Sequence, residues 1–142
     1  MRDRRRPRTE RAPPRRRRVG RGSRALAALR AARAELGRPY AWGGAGPSSF
    51  DCSGLVMWSF RRAGISLPHS SQAMFGLGRD LRASHIRAGD LVFFDTAGPG
   101  PTHVGIALGR STFISATTHG VRVQSTWDSY WGDHFVGARS IA

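Results

Sequence analysis

The hydrophobic pattern of this chain changes period part-way along, and the change limits the folds open to it. Up to about residue 76 the apolar residues recur at helical spacing. Leu26, Leu29, Ala32 and Leu36 repeat every three or four positions, which gives a helix over 24–36 one apolar face. Ser23 can cap its start and Gly37 can stop it. Residues 52–63 read as a second helix. Leu55, Val56, Met57, Trp58 and Phe60 make it apolar around much of its circumference, as in a largely buried helix, and Gly64 ends it. Residues 70–76 form a short third. Beyond them come strand-length runs at 90–94, 103–108, 112–116, 120–124 and 135–141, parted by glycine or polar turns. Helices first and an antiparallel meander second predict an α+β fold.

The charge is unevenly placed. Residues 1–22 hold eleven arginines against Asp3 and Glu10, while the rest holds twelve arginines against seven acids, and there is no lysine. An Arg/Pro/Gly segment with few apolar side chains buries too little surface to offset its ordering entropy, so 1–22 is expected to be a disordered arm and 23–142 a single domain. Such an arm could contact an anionic polymer such as nucleic acid, a membrane surface or an acidic wall polymer. A solvated tail is the plain alternative. Arg30 and Arg33 interrupt the apolar stretch that a twin-arginine export signal would need after Arg15 to Arg18. No run reaches the ~18 apolar residues of a membrane span, so the chain is expected to be soluble, and a monomer.

Cys52 is the only cysteine. It cannot close an internal disulfide, which leaves packing, metal ligation or chemistry. A metal site is not expected, because one cysteine and scattered histidines show no ligand spacing. No cofactor is expected either. Cys52 opens the second helix, where unpaired N–H groups and the helix dipole favour a thiolate. His103, about fifty residues on, leads the run His103-Val104-Gly105-Ile106-Ala107-Leu108. A thiol at a helix N-terminus and an imidazole at a strand start are the parts of a cysteine hydrolase. A small buried hydrophobe and a structural strand-end histidine are the plain alternatives.

Several ordered motifs surround the pair: Pro39-Tyr40-Ala41-Trp42-Gly43-Gly44, Asp51-Cys52-Ser53-Gly54-Leu55-Val56, Leu67-Pro68-His69-Ser70-Ser71-Gln72, Ala88-Gly89-Asp90-Leu91-Val92-Phe93-Phe94, His103-Val104-Gly105-Ile106 and Phe135-Val136-Gly137-Ala138-Arg139. With them the chain, from about residue 25 to its end, resembles the NlpC/p60 cell-wall cysteine peptidases. That resemblance implies a papain-like fold, with the nucleophile's helix packed on the C-terminal sheet. It implies Cys52 as nucleophile, His103 as base and Tyr40 beside the thiol, where its hydroxyl can help hold an oxyanion. Asp51 and Ser53 resemble positions that bind the free amino end of a peptidoglycan stem peptide. Asp51 could equally serve only as the helix cap, Ser53 only as a partner of early helix N–H groups, and Tyr40 only as a core aromatic. Trp42, Trp127, Tyr130 and Trp131 are candidates for the walls of the substrate groove, or for the core.

The family usually carries a third polar residue, most often histidine, on the strand after the His motif. Here the pattern is Phe113-Ile114-Ser115-Ala116, which puts Ser115 in the orienting position. A hydroxyl can accept from the imidazole N–H but is short and uncharged, so a weaker hold on the imidazole and a slower enzyme are expected. His119 is the alternative, although four residues of strand, ~13 Å, separate it from Ser115. His69, His85 and His134 read as surface or loop residues. The resemblance implies a hydrolase of stem peptides at the D-γ-glutamyl–diamino acid bond. It also implies action outside the cytoplasm, although no export signal is visible. Rival readings are a catalytically weak wall-binding module of the same fold and a polyanion-binding protein that acts through its arm.

Overall fold

The structure is a computed structural model that describes residues 12–142, with side chains from Gly22 onward. Helix α1 spans Ala12–Arg33. It therefore starts well before the predicted Ser23 cap, and residues 12–22, expected in the arm, have helical backbone. Residues 1–11 of that arm lie outside the described residues. The chain leaves the helix through Gly37 at φ 89°, a conformation that suits glycine. Gly37 N–H donates to Val121 O at 2.9 Å, and Val121 N–H donates to Arg38 O at 2.9 Å, so the end of the helix is tied to the sheet.

Helix α2 spans Cys52–Arg62 and the short α3 spans Ser71–Phe75. Both start where the sequence predicts, because each has a side-chain cap. Asp51 Oδ1 accepts from Gly54 N–H, and Ser70 Oγ accepts from Ala73 N–H. Six strands follow: β1 (Arg79–Leu81), β2 (Leu91–Phe94), β3 (His103–Ala107), β4 (Thr112–Thr117), β5 (Gly120–Ser125) and β6 (Phe135–Ser140). They form one sheet in the order β1-β6-β2-β3-β4-β5 with every neighbour antiparallel. β2 to β5 are the expected meander. β6 returns to pair with β2, and β1 was not predicted. Its three residues are polar or only half-buried, and an edge strand of that length leaves no alternation to read.

The sheet is packed on both faces. β2 shows how: Leu91 and Phe93 point to a core shared with Leu55, Val56 and Phe60 of α2, while Val92 and Phe94 point to a second core with Phe113, Ala107 and Ala138. α1 packs on α2, and α2 packs across β3 and β4. Trp131 and Phe135 lie against the second core. This packing delivers the N-terminal end of α2 to the backbone at the start of β3, where Cys52 approaches the chain on either side of His103. No helix among the described residues is long and apolar enough to cross a membrane.

Candidate active site

The helix N-terminus that carries the thiol is held mainly by its neighbours in the chain. The loop before α2 folds over the helix N-terminus. Asp51 N–H donates to Gly44 O at 2.9 Å, and Tyr40 and Ala45 each bridge to Phe50. Asp51 then serves several partners. Its Oδ1 accepts from Gly54 N–H at 2.6 Å and lies 2.8 Å from His69 Nε2, while its Oδ2 accepts from Gly43 N–H at 3.1 Å. The hydroxyl of Ser53 reaches the same Oδ1 at 3.5 Å. His69, read as a loop residue, thus pairs with the residue before the nucleophile. Gly54 is required by this fit, because a Cβ there would sit inside the Gly44 carbonyl.

Cys52 Sγ lies half-buried, 3.9 Å from Thr102 O, and the N–H groups of Val104, Ser53 and Cys52 itself are directed at it. Burial pushes its pKa up. The N–H of Val104 pulls back most strongly, the Asp51 carboxylate adds to the rise, and the two helix N–H groups pull back a little more. The balance is upward. The helix N-terminus does favour the thiolate, as predicted, but burial outweighs it.

The imidazole is held by residues far apart in the chain. His103 is buried at the start of β3, its ring 5.1 Å from that of Trp131, centroid to centroid, and tilted by 38°. Burial lowers its pKa to about 4. Nε2 of His103 lies 3.0 Å from Ser115 Oγ. Ser115 Oγ in turn donates to Gln124 Oε1 at 2.9 Å. Gly105 clears the way: a Cβ there would come within 3.1 Å of Ser115 Cβ and 2.6 Å of the Phe113 ring. His119 is in the turn after β4, where its N–H donates to Thr117 Oγ1.

Two members of this half were given no part beside the imidazole by the sequence. Gln124 meets Ser115 only through the register of β4 on β5, which sets it diagonally across from Ser115 on the same face. Trp131 was only a candidate groove wall. Asp128 Oδ1 accepts from the N–H groups of Tyr130 and Trp131 at 3.0 and 2.7 Å, which fixes the loop that places Trp131 on the imidazole. His134 also braces this loop, with Nδ1 2.8 Å from Asp95 Oδ1.

Cys52, His103 and Tyr40 open on one cleft of about 560 Å³. Tyr130, Trp131, Gln124 and Arg122 also line it, and among the described residues its lining includes no Asp or Glu. Burial, then the charges of Asp51 and Cys52, raise the pKa of the Tyr40 hydroxyl, which keeps it a proton donor. Trp42 and Trp127 are not part of the lining. Trp42 is 91% exposed beside the Gly43 turn, and Trp127 donates from Nε1 to Arg110 O at 2.7 Å. Among the described residues no group of three or more His, Cys, Asp or Glu could hold a metal ion.

The chain is similar to known proteins. A protein of Mycobacterium tuberculosis named as an endopeptidase, Rv2190c, is 46% identical over 106 residues, which are 74% of this chain and 26% of that protein. The bifunctional muramidase/DL-endopeptidase CwlT of Bacillus subtilis is 44% identical over 103 residues, 70% of this chain and 31% of that protein. The chain thus spans about a third or less of the length of these relatives. Among solved structures, an NLP/P60-family protein of Staphylococcus aureus, SAV0400, superposes with a TM-score of 0.76 at 35% identity, over 84% of this chain and 42% of that one. The family model of NlpC/P60 matches residues 37–140, and the chain belongs to this family of cysteine peptidases.

Proposed function

We propose that the chain is a peptidoglycan endopeptidase that cleaves stem peptides between D-γ-glutamyl and the following diamino acid. The observation that carries this reading is the shared cleft. A thiol and an imidazole open on it together, and the imidazole already has one nitrogen engaged by Ser115. That leaves Nδ1 for the proton of Cys52. The cleft suits an acidic peptide, because its lining includes the Arg122 cation and no acid among the described residues. The names of the relatives support the class of reaction.

A raised thiol pKa and a lowered imidazole pKa make the resting pair neutral. The thiol therefore loses its proton to His103 as Cys52 attacks the peptide carbonyl. The N–H of Cys52 and the hydroxyl of Tyr40 face the developing oxyanion. His103 then gives the proton to the leaving amine, and water, activated by the same imidazole, releases the acyl group from sulfur. Asp51 and Ser53 anchor the free amino end of the stem, where an ammonium takes the place of His69 beside Oδ1. On this reading the protein works outside the cytoplasm as a monomer, and the basic segment before the domain holds it to acidic wall polymers.

The test is digestion of purified muropeptides by wild type and Cys52→Ala, read by mass spectrometry. Cleavage at the D-γ-glutamyl bond by wild type alone is expected. Folded wild type that binds muropeptides of several stem types and cuts none would replace this reading with a wall-binding module.

A further inference from the structure

We infer that Gln124 is a positioning residue that selects the tautomer of His103 through the single hydroxyl proton of Ser115. The direction of the hydrogen bonds around Ser115 decides the tautomer. Ser115 Oγ is fully buried, so it has no solvent partner, and its neighbours are His103 Nε2 at 3.0 Å and Gln124 Oε1 at 2.9 Å. A serine has one proton to give. A carboxamide oxygen can only accept, so that proton goes to Gln124. Ser115 Oγ is then left as an acceptor, and Nε2 must carry the ring proton that fills it. Nδ1 keeps its lone pair, which is the form a base needs. Without Gln124 the same serine could turn its proton onto Nε2. The ring proton would then move to Nδ1, and the base would be lost.

The relay is neutral throughout. A carboxylate bound to the imidazole would fix the tautomer and also stabilise imidazolium. Ser115 and Gln124 do the first without the second. Gln124 is half-buried on β5, which is an edge of the sheet, so replacing it does not empty either core. The titratable or charged groups around the same cleft are Cys52 and Tyr40 on the thiol side, Arg122 and His119 on β5 and its turn, and Tyr130 on the loop of Trp131. Arg122 stands directly opposite Ser115 in the register.

The experiment uses the full chain with ¹⁵N-labelled histidine and two variants, Gln124→Leu and Gln124→Glu. In wild type at pH 7 the ring proton of His103 is expected on Nε2. Gln124→Leu should move it largely to Nδ1 and lower kcat about tenfold or more with KM little changed. Gln124→Glu offers Ser115 the same acceptor, so the Nε2–H form and kcat should be retained. Its added charge should move the acid limb of the pH profile up by about half a unit, with Arg122 offsetting part of the effect. An unchanged tautomer in Gln124→Leu would overturn the inference. So would a ring proton on Nδ1 in Gln124→Glu, which also decides the matter if the leucine variant does not fold. The kinetic readings rest on the stem-peptide reading above, whereas the spectra do not. Correct tautomers in a protein that cuts no muropeptide would refute the substrate and keep the role of Gln124.

Discussion

Cys52 and His103 meet in one cleft, yet the thiol is held mainly by residues beside it in sequence and the imidazole by residues gathered from several strands and a loop. Gly44, Asp51, Ser53 and Gly54 build the thiol side within a short stretch. Ser115, Gln124 and Trp131 build the imidazole side, and only the sheet brings them together. The thiol side is fixed largely by backbone geometry, where a helix needs its cap and lets the preceding loop pass only because residue 54 is glycine. The imidazole side is fixed by side-chain hydrogen bonds and ring packing. The first kind of site fails when the backbone cannot fit. The second kind can lose its chemistry while the fold survives.

Gly54→Ala against Gly105→Ala is the sharpest way to break that contrast. A Cβ at Gly54 collides with a backbone carbonyl that itself accepts from Asp51 N–H. We expect a loss of ~3 kcal/mol in stability, read as a fall of about 10 °C in Tm. A Cβ at Gly105 comes within 2.6 Å of the Phe113 ring, 2.8 Å of the backbone Ile114 O and 3.1 Å of Ser115 Cβ, a shallower overlap than at Gly54. It should cost less stability, ~1–2 kcal/mol, and lower kcat by displacing Ser115. A larger Tm loss for Gly105→Ala would reverse the assignment of backbone control to the thiol side.

The burial of His103 gives the next effect in size. Its pKa in the folded protein is about 4, below the ordinary histidine value near 6.5, so the fold favours the neutral ring. The contribution to stability is complete above pH ~6.5 and is lost as pH falls from there toward 4. At pH 5 the loss should be ~2 kcal/mol relative to pH 7. His103→Gln should remove that part of the pH dependence, which paired denaturant titrations at pH 7 and pH 5 would measure. An equal loss in both proteins would show that His103 is not buried as a neutral group. The same low value puts the acid limb of activity near pH 4, and Trp131→Ala, which opens the ring to water, should raise it.

The contrast also explains what could be read from the chain. The α+β order, α2 with its cap and the meander were legible because each is written in local periodicity or turn chemistry. Cys52 was legible as the residue that opens α2 and Asp51 as its cap, whereas Tyr40 entered only through its place in a known motif. Ser115 was found in the same way. Gln124 escaped because its role depends on strand register, and no spacing in sequence encodes a diagonal pair on β4 and β5. The net rise in the Cys52 pKa escaped for a related reason. The helix N-terminus is visible in sequence, but the depth at which the sheet buries it is not.

Asp51→Asn gives the smallest effect and separates geometry from charge on the thiol side. An asparagine oxygen still accepts from Gly54 N–H, so the cap survives and the stability change should stay under ~1 kcal/mol. The charge does not survive. Asp51 is one of the groups that raise the Cys52 pKa, and it stands behind burial and the opposing N–H of Val104 in size. Removing it should therefore lower the thiol pKa, while burial still holds it above the ordinary cysteine value. The rate of alkylation by iodoacetamide against pH reads this without any substrate, because only the thiolate reacts. Wild type should show a single rise on the alkaline side and no reactive plateau between pH 5 and 8, as befits a neutral resting pair. The asparagine variant should show the same rise slightly earlier. A plateau in wild type would mean a standing thiolate–imidazolium pair and would make the two sides electrostatically one unit. A later rise in the variant would mean that Asp51 acts on the thiol through the loop it holds and not through its charge.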